Sequence, residues 1–260
     1  MKRIHLLFWS LVFALLPPAA HSDGFAAKFE SDYVSPLVNQ SPGGALVIVE
    51  SGRVVLQKVY GVRTEGAAEL VTDETLFRIA SLSKTFASAA ASILVEESPL
   101  TWQMPLKPSL AHVKFKKPGY GGQISLKHLM SQSTGLMPHA YTNLIEENMS
   151  YRRIVDRLDR VDFVCAPGEC YGYQNVVFSL IADLVASETE LDYPEFVDAH
   201  LFKPLAMTRA SFGHEPFVND SNHARPHVWT GSRWHPVKPT SHYYKVAPAA
   251  GVNASISDMR

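Results

Sequence analysis

Only two cysteines occur in the 260 residues, Cys165 and Cys170. That is too few for the multi-bridge framework of small secreted domains. The pair has no nearby partners that would complete a structural zinc site. In an oxidising compartment the two can form a single disulfide; two free thiols in a loop are the other reading, and both stay open. Charge of one sign is also missing. With 24 Lys and Arg against 25 Asp and Glu, the formal net charge is −1. No basic surplus exists to hold a phosphate backbone, which argues against nucleic acid as a partner. Long apolar runs are absent too. Residues 6–16 are the best candidate, and eleven residues cannot span a bilayer. Lys2 and Arg3 precede that run, Pro17-Pro18 breaks it, and Ala20-His21-Ser22 offers small residues at a cleavage site. Residues 1–22 therefore read as a secretory signal. The expected fate is a secreted or periplasmic protein with no stable membrane anchor after cleavage. There is no internal repeat and no low-complexity segment.

What is present is ordinary globular material, 46% hydrophobic and 19% charged, enough for one large domain or two interleaved ones. Residues 23–38 read as a first helix. Residues 44–50 and 54–61 are β-branched runs around Ser51-Gly52-Arg53, which predicts a β-hairpin. Residues 85–97 are alanine-rich and apolar nearly all round, the pattern of a buried helix. Shorter helices are expected over 124–130 and 151–158, then over 175–187 and 193–201. After Pro204 and up to Ala249 the chain reads as aromatic, His-rich loop, with few candidate strands after Gly213. His223 and His227 stand four apart, but Pro226 argues against a helix presenting both to a metal.

At the junction of the β-rich opening and the long helix stand Ser81 and Lys84. On a helix, positions three apart share a face, so the hydroxyl and the amine can meet. A serine is a weak nucleophile until a neighbouring base takes its proton, and a lysine with a lowered pKa can be that base. The spacing alone is unspecific. With 24 Ser and 12 Lys in the chain, it is expected about once by chance.

The surrounding residues carry more. Phe77-Arg78-Ile79-Ala80-Ser81-Leu82-Ser83-Lys84 resembles the active-serine motif of the serine β-lactamase and penicillin-binding-protein superfamily, in its class C-like branch. Leu129-Met130-Ser131-Gln132-Ser133-Thr134-Gly135-Leu136 is similar to that branch's Leu-Leu-x-His-Thr-Ser-Gly-Leu. Ala166-Pro167-Gly168 through Tyr173-Gln174-Asn175 resembles the Pro-Gly segment leading into Tyr-x-Asn. Pro248-Ala249-Ala250-Gly251 through Asp258-Met259 resembles the Pro-Ala-Gly-Gly…Asp-Met landmark. Tyr141-Thr142-Asn143 also has the Tyr-x-Asn spacing, but it lacks the preceding Pro-Gly and the following helix.

The resemblance implies an α/β (α+β) fold of the β-lactamase/transpeptidase type, an antiparallel sheet flanked by helices plus an all-helical subdomain. The sheet part would occupy about 23–75, the helical part about 76–210 and a return segment 211–260. It implies a serine hydrolase in which Ser81 forms an acyl-enzyme, with no cofactor and no metal. Lys84 and Tyr173 would share the proton work, the identity of the base being open. Asn175 would bind the substrate's amide, and the Ser81 N–H would be half of an oxyanion hole. The substrate would be a β-lactam, a D-alanyl peptide or other peptidoglycan-derived molecule, or a small ester.

The pattern departs from the family in three places. Gln132-Ser133-Thr134-Gly135 replaces His-Thr-Ser-Gly, and Gln103-Met104-Pro105 stands where Asp-Asp-Pro is usual. The Lys-Thr-Gly or His-x-Gly that follows Asp-Met in the family is not found by Arg260. Thr230-Gly231 and Lys238-Pro239-Thr240 lie before that landmark. On this reading the C-terminal strands are missing, the hairpin keeps an unpaired edge, and the chain is at best slowly acylated. A catalytically incompetent or purely binding homologue is the alternative function.

Overall fold

The computed structural model describes residues 22–38 and 40–260. The secretory-signal reading falls on residues 1–22, of which 1–21 lie outside the described residues. The first described segment is helical from Ser22–Phe29 through a π-turn at Glu30–Val34 to Ser35–Val38. It rests on the hairpin formed by β1 (Gly43–Glu50) and β2 (Arg53–Gly61), which pair antiparallel from Gly43↔Gly61 to Glu50↔Arg53. Ser51 and Gly52 close the hairpin with φ of 49° and 74°. Two left-handed residues make the tight turn whose twist matches that of paired strands.

Glu30 fastens the helical segment to β2. It is 3% exposed. Its carboxylate accepts from Lys58 at 2.6 Å, Tyr60 at 2.8 Å and Ser35 at 2.9 Å. These hydrogen bonds, Lys58's first, pull the carboxyl from 4.5 down to about 2. A depressed carboxyl contributes stability above its unfolded pKa and loses it as pH falls. The Glu30 contribution should therefore fade between pH 4.5 and about 2. Thermal unfolding of Glu30→Gln across that window checks it. The variant should melt lower than the native chain at neutral pH and converge with it in acid; a constant difference would refute the assignment.

The second sheet is built from three short strands distant in sequence. β3 (Phe77–Arg78) and β4 (Ser211–Phe212) flank β7 (Val252–Ala254) in the order β3-β7-β4, all antiparallel. β7 is buried along its whole length. A further hairpin joins β5 (His227–Trp229) to β6 (Trp234–Pro236). The expectation of few strands after Gly213 is therefore corrected. Three residues with an asparagine in the middle give β7 no alternating pattern, and its strand character comes from its two neighbours. Among the described residues β1 pairs only with β2. A groove of about 540 Å³ separates β1 from β3 and β7, walled by Leu46, Val47, Ile79, Leu82 and Ile256.

The central helix, Ser83–Glu97, is the axis of the helical part. Phe86, Ala87, Ala90, Ala91 and Leu94 are buried, joined by Leu126, Leu129, Ile154, Phe178, Leu184 and Phe196 in one core. Truncating one of the leucines to alanine would cost about 2–5 kcal/mol. The helix is not buried on every side, as its composition suggests: Thr85, Ser88, Ser92 and Glu96 form an exposed stripe. Ser88 and Ser92 satisfy themselves on the Lys84 and Ser88 carbonyls. The single helix expected over 175–187 is two pieces, Asn175–Phe178 and Ile181–Thr189. The buried Ser179 hydroxyl donates to the Asn175 carbonyl at 2.8 Å, a local bond that competes with the helical ladder. The helix expected over 193–201 is Tyr193–Val197 continued by a π-turn, Asp198–Phe202.

Candidate active site

The Ser81 turn is strained and clamped. A 3₁₀ turn, Ala80–Leu82, carries the chain from β3 into the central helix. Ala80, the residue before the serine, has φ of 47°, a left-handed conformation that costs a residue with a Cβ about 1–3 kcal/mol unless the surroundings fix it. β7 fixes it. The Ile79 N–H donates to the Val252 carbonyl at 3.2 Å. The Val252 N–H donates to Ser83 Oγ at 3.0 Å, with Ser83 fully buried. One residue of β7 thus holds both sides of the turn. Gly251 permits this: a Cβ there would stand 2.7 Å from Ala247 Cα. Ser83→Ala would leave the Val252 N–H without an acceptor, costing about 1–3 kcal/mol. A lower melting temperature and slower acylation are expected; neither changing would show that the clamp is unimportant.

Lys84 reaches back over the turn. Its Nζ lies 3.4 Å from Ser81 Oγ and donates to Asn175 Oδ1 at 2.8 Å and to the Ala249 carbonyl at 2.9 Å. It also sits 4.8 Å from the Tyr173 ring centre and 5.4 Å from that of Phe178. Burial lowers its pKa, against the opposing pull of the Tyr173 phenol. Tyr173 Oη is 2.9 Å from Ser81 Oγ. Partial burial by itself would raise the phenol, but Lys84 and Ser81 outweigh it and the net direction is downward. Both groups therefore lie nearer to neutral pH than an ordinary lysine or tyrosine, as proton-transfer groups need to.

The loop that presents Tyr173 is held from outside. The Gly172 N–H donates to the Gln132 carbonyl at 2.8 Å, and the Gln174 N–H donates to Gln132 Oε1 at 2.9 Å. Gln132 therefore holds the backbone N–H groups of the two residues on either side of Tyr173. Gln174 Oε1 in turn accepts from the N–H groups of Val176 and Val177, capping the helix that begins at Asn175. Gly135, with φ of 81°, lies against the Cys165 carbonyl, where a Cβ would come within 2.4 Å. Cys165 and Cys170 are joined by a disulfide. Both segments that were landmarks in the sequence thus meet under Tyr173.

The structure brings Ser81, Lys84, Tyr173 and Asn175 into one cluster. The second Tyr-x-Asn is elsewhere: the Tyr141 hydroxyl donates to the Arg157 carbonyl at 2.7 Å. His223 Nδ1 faces the Asp220 carbonyl, and His227 Nε2 accepts from the Glu65 N–H. Among the described residues no three His, Cys, Asp or Glu side chains are placed to hold a metal. Sequence reasoning missed Ser83, Gln132, Gln174 and the Ala249 carbonyl. Gln132 carried a usable signal, since it stands in place of the histidine of the resembled motif. Ser83 carried none, because its partner is a backbone N–H far along the chain. In chemical terms the cluster offers a hydroxyl beside two groups able to take its proton, the arrangement of an activated nucleophile.

Comparison with known proteins is consistent with this geometry. The family described as Beta-lactamase matches residues 31–260. "Protein flp" of Staphylococcus aureus (strain MW2) is 26% identical over 174 residues, covering 66% of this chain and 35% of that protein. A D-aminopeptidase of Gluconobacter oxydans (strain 621H) is 25% identical over 198 residues, covering 73% of this chain and 36% of that protein. The chain thus spans about a third of the length of these curated relatives. Among solved structures, the octameric penicillin-binding protein homologue from Pyrococcus abyssi superposes with a TM-score of 0.75 at 23% identity, covering 90% of this chain and 54% of that one. The D-alanine carboxypeptidase AmpC from Burkholderia cenocepacia superposes with a TM-score of 0.71 at 26% identity, covering 92% and 63%.

Proposed function

Since the chain belongs to the Beta-lactamase family, we propose that it is a serine hydrolase that works through an acyl-enzyme on Ser81. The observation that carries this reading is Ser81 Oγ at 2.9 Å from Tyr173 Oη and 3.4 Å from Lys84 Nζ. Ser81 Oγ bonds to the acyl carbon while its proton passes to the Tyr173–Lys84 pair. The pair then protonates the leaving nitrogen or oxygen, and water releases the acyl group. Asn175 has its Oδ1 on Lys84, so its amide nitrogen is the part available to a substrate carbonyl. The Ser81 N–H, at the first turn of a helical segment, serves the developing oxyanion.

The substrate is a β-lactam, a D-alanyl peptide or a small ester. The names of the relatives, a D-aminopeptidase and a D-alanine carboxypeptidase, favour a D-amino-acid peptide over the other two. Turnover of a chromogenic cephalosporin, a D-alanyl-D-alanine peptide and a p-nitrophenyl ester by the full chain ranks the three. Release of D-alanine as the fastest reaction is the expected result. Failure of all three to acylate Ser81 would favour the non-catalytic reading.

Export is part of the proposal. The disulfide between Cys165 and Cys170 suits an oxidising compartment, and the apolar segment of residues 6–16 suits a cleaved leader. Fractionation of the producing cells should recover a mature form beginning near Asp23. A full-length chain in the cytoplasm with both thiols open to alkylation would overturn it.

A further inference from the structure

A second cavity, apart from the Ser81 cluster, lies where the open end of the β1–β2 hairpin meets β3 and the loop after β6. It encloses about 440 Å³, and Arg63, Arg78, Arg225, Lys238 and His227 line it together with apolar walls. No aspartate or glutamate lines it. Among the described residues none of the three arginines or Lys238 forms an ion pair, although the chain as a whole is balanced in charge. Glu69 shares an adjoining depression with Arg63 and Arg225, beyond ion-pair distance of both.

The two inner guanidinium groups are fixed but incompletely satisfied. Arg78 lies 4.4 Å over the Tyr244 ring and donates through Nη1 to the Thr240 carbonyl at 3.1 Å. Arg63 donates through Nη1 to the Ser221 carbonyl. The Nε of each is buried without a partner. Partial burial also lowers the Arg78 pKa, against the opposing pull of the Tyr244 and Tyr243 phenols. Both side chains are half-buried, where an unpaired cation loses part of its hydration, and a guanidinium fork fits a carboxylate or phosphate with two parallel bonds. Phe77, Phe217, Val71 and Val237 supply apolar wall beside these donors. The volume falls in the range of small-molecule sites, about 300–1,000 Å³.

We propose that this cavity binds an organic anion, a carboxylate or phosphate group carried on an apolar body. The headgroup sits among Arg63, Arg78, Arg225 and Lys238, and the body lies against Phe77 and Phe217. None of Ser81, Lys84, Tyr173 or Asn175 lines this cavity.

Calorimetric titration of the full chain with hexanoate, hexyl phosphate and hexylammonium tests it. Saturable binding of at least one anion is expected, the tighter of the two identifying the headgroup, with none for hexylammonium. Affinity should fall between about 0.05 M and about 0.5 M salt, since part of the attraction is screened. Arg225 and Lys238 are exposed at the rim, so the double variant Arg225→Gln, Lys238→Gln should fold and bind at least about tenfold more weakly. Ser81→Ala should bind as the native chain does, which separates this site from the catalytic one. The proposal is overturned if neither anion saturates below about 10 mM, if hexylammonium binds equally well, if salt has no effect, or if the double variant keeps full affinity.

Discussion

Ser81→Ala is expected to give a folded protein that forms no covalent adduct with a fluorescent penicillin or a fluorophosphonate. The reason is local. The substitution removes one oxygen from an exposed position and leaves the clamp on the turn untouched, because that clamp runs through Ile79, Ser83 and Val252. Tyr173 loses the partner at 2.9 Å, but its hydroxyl is only partly buried and water can replace it. Stability should therefore hardly change, while chemistry that depends on a nucleophile disappears. In a known serine hydrolase such a loss reaches about 10⁶ in kcat. Labelling of the variant at the native rate would mean that another residue is the nucleophile, and the assignment of the whole cluster would fall with it.

The second large effect concerns Lys84. Lys84→Ala should slow acylation by about 10²–10⁴-fold, the usual weight of a positioned proton acceptor. The pH profile separates a proton role from a structural one. Burial lowers the Lys84 pKa, so the neutral amine accumulates at a lower pH than for an ordinary lysine, near 10.4. The native acylation rate should rise with pH and level off before that value. The apparent pKa belongs to the Lys84–Tyr173 pair jointly. In Lys84→Ala that limb should move toward the value of the remaining phenol, and Tyr173→Phe should move it the other way. A limb at the same pH in the native chain and in Lys84→Ala would show that lysine does not carry the titration. Loss of the ammonium also strips a donor from Asn175 Oδ1 and Ala249. A thermal unfolding measurement on the variant keeps any destabilisation distinct from lost chemistry.

The parts of the fold that were legible in the sequence were those fixed by local pattern. The β1–β2 hairpin followed from two β-branched runs around Ser51-Gly52, and both turn residues are left-handed as such a turn requires. The four residues that cluster at the candidate site were singled out by ordered motifs rather than by spacing, since Ser-x-x-Lys alone is expected about once by chance. What could not be read depends on partners far along the chain. β7 has no signal of its own and exists because Phe77–Arg78 and Ser211–Phe212 pair on either side of it. The all-round apolar reading of the central helix failed for a different reason. Alanine and serine side chains are short enough that composition does not say which face is wet, and the stripe through Ser88 and Ser92 appears only once neighbours are packed. The break at Ser179 was hidden because a serine in a helical run reads as neutral until its hydroxyl turns back to the Asn175 carbonyl.

The Val252 clamp also dictates an order of assembly during synthesis. Ser81 and Lys84 leave the ribosome long before Ala249 and Val252, yet the lysine's carbonyl partner and both fastenings of the serine turn come from those late residues. Contacts between such distant segments are slow to form and can be made only once both have emerged. Until then Ala80 has nothing to hold it in its left-handed conformation, and the turn is free to relax to an ordinary one. The nascent chain therefore carries a serine and a lysine but no assembled nucleophile. The proposed reactivity waits on a three-residue strand, because a partly made chain lacks the contacts that assemble the site.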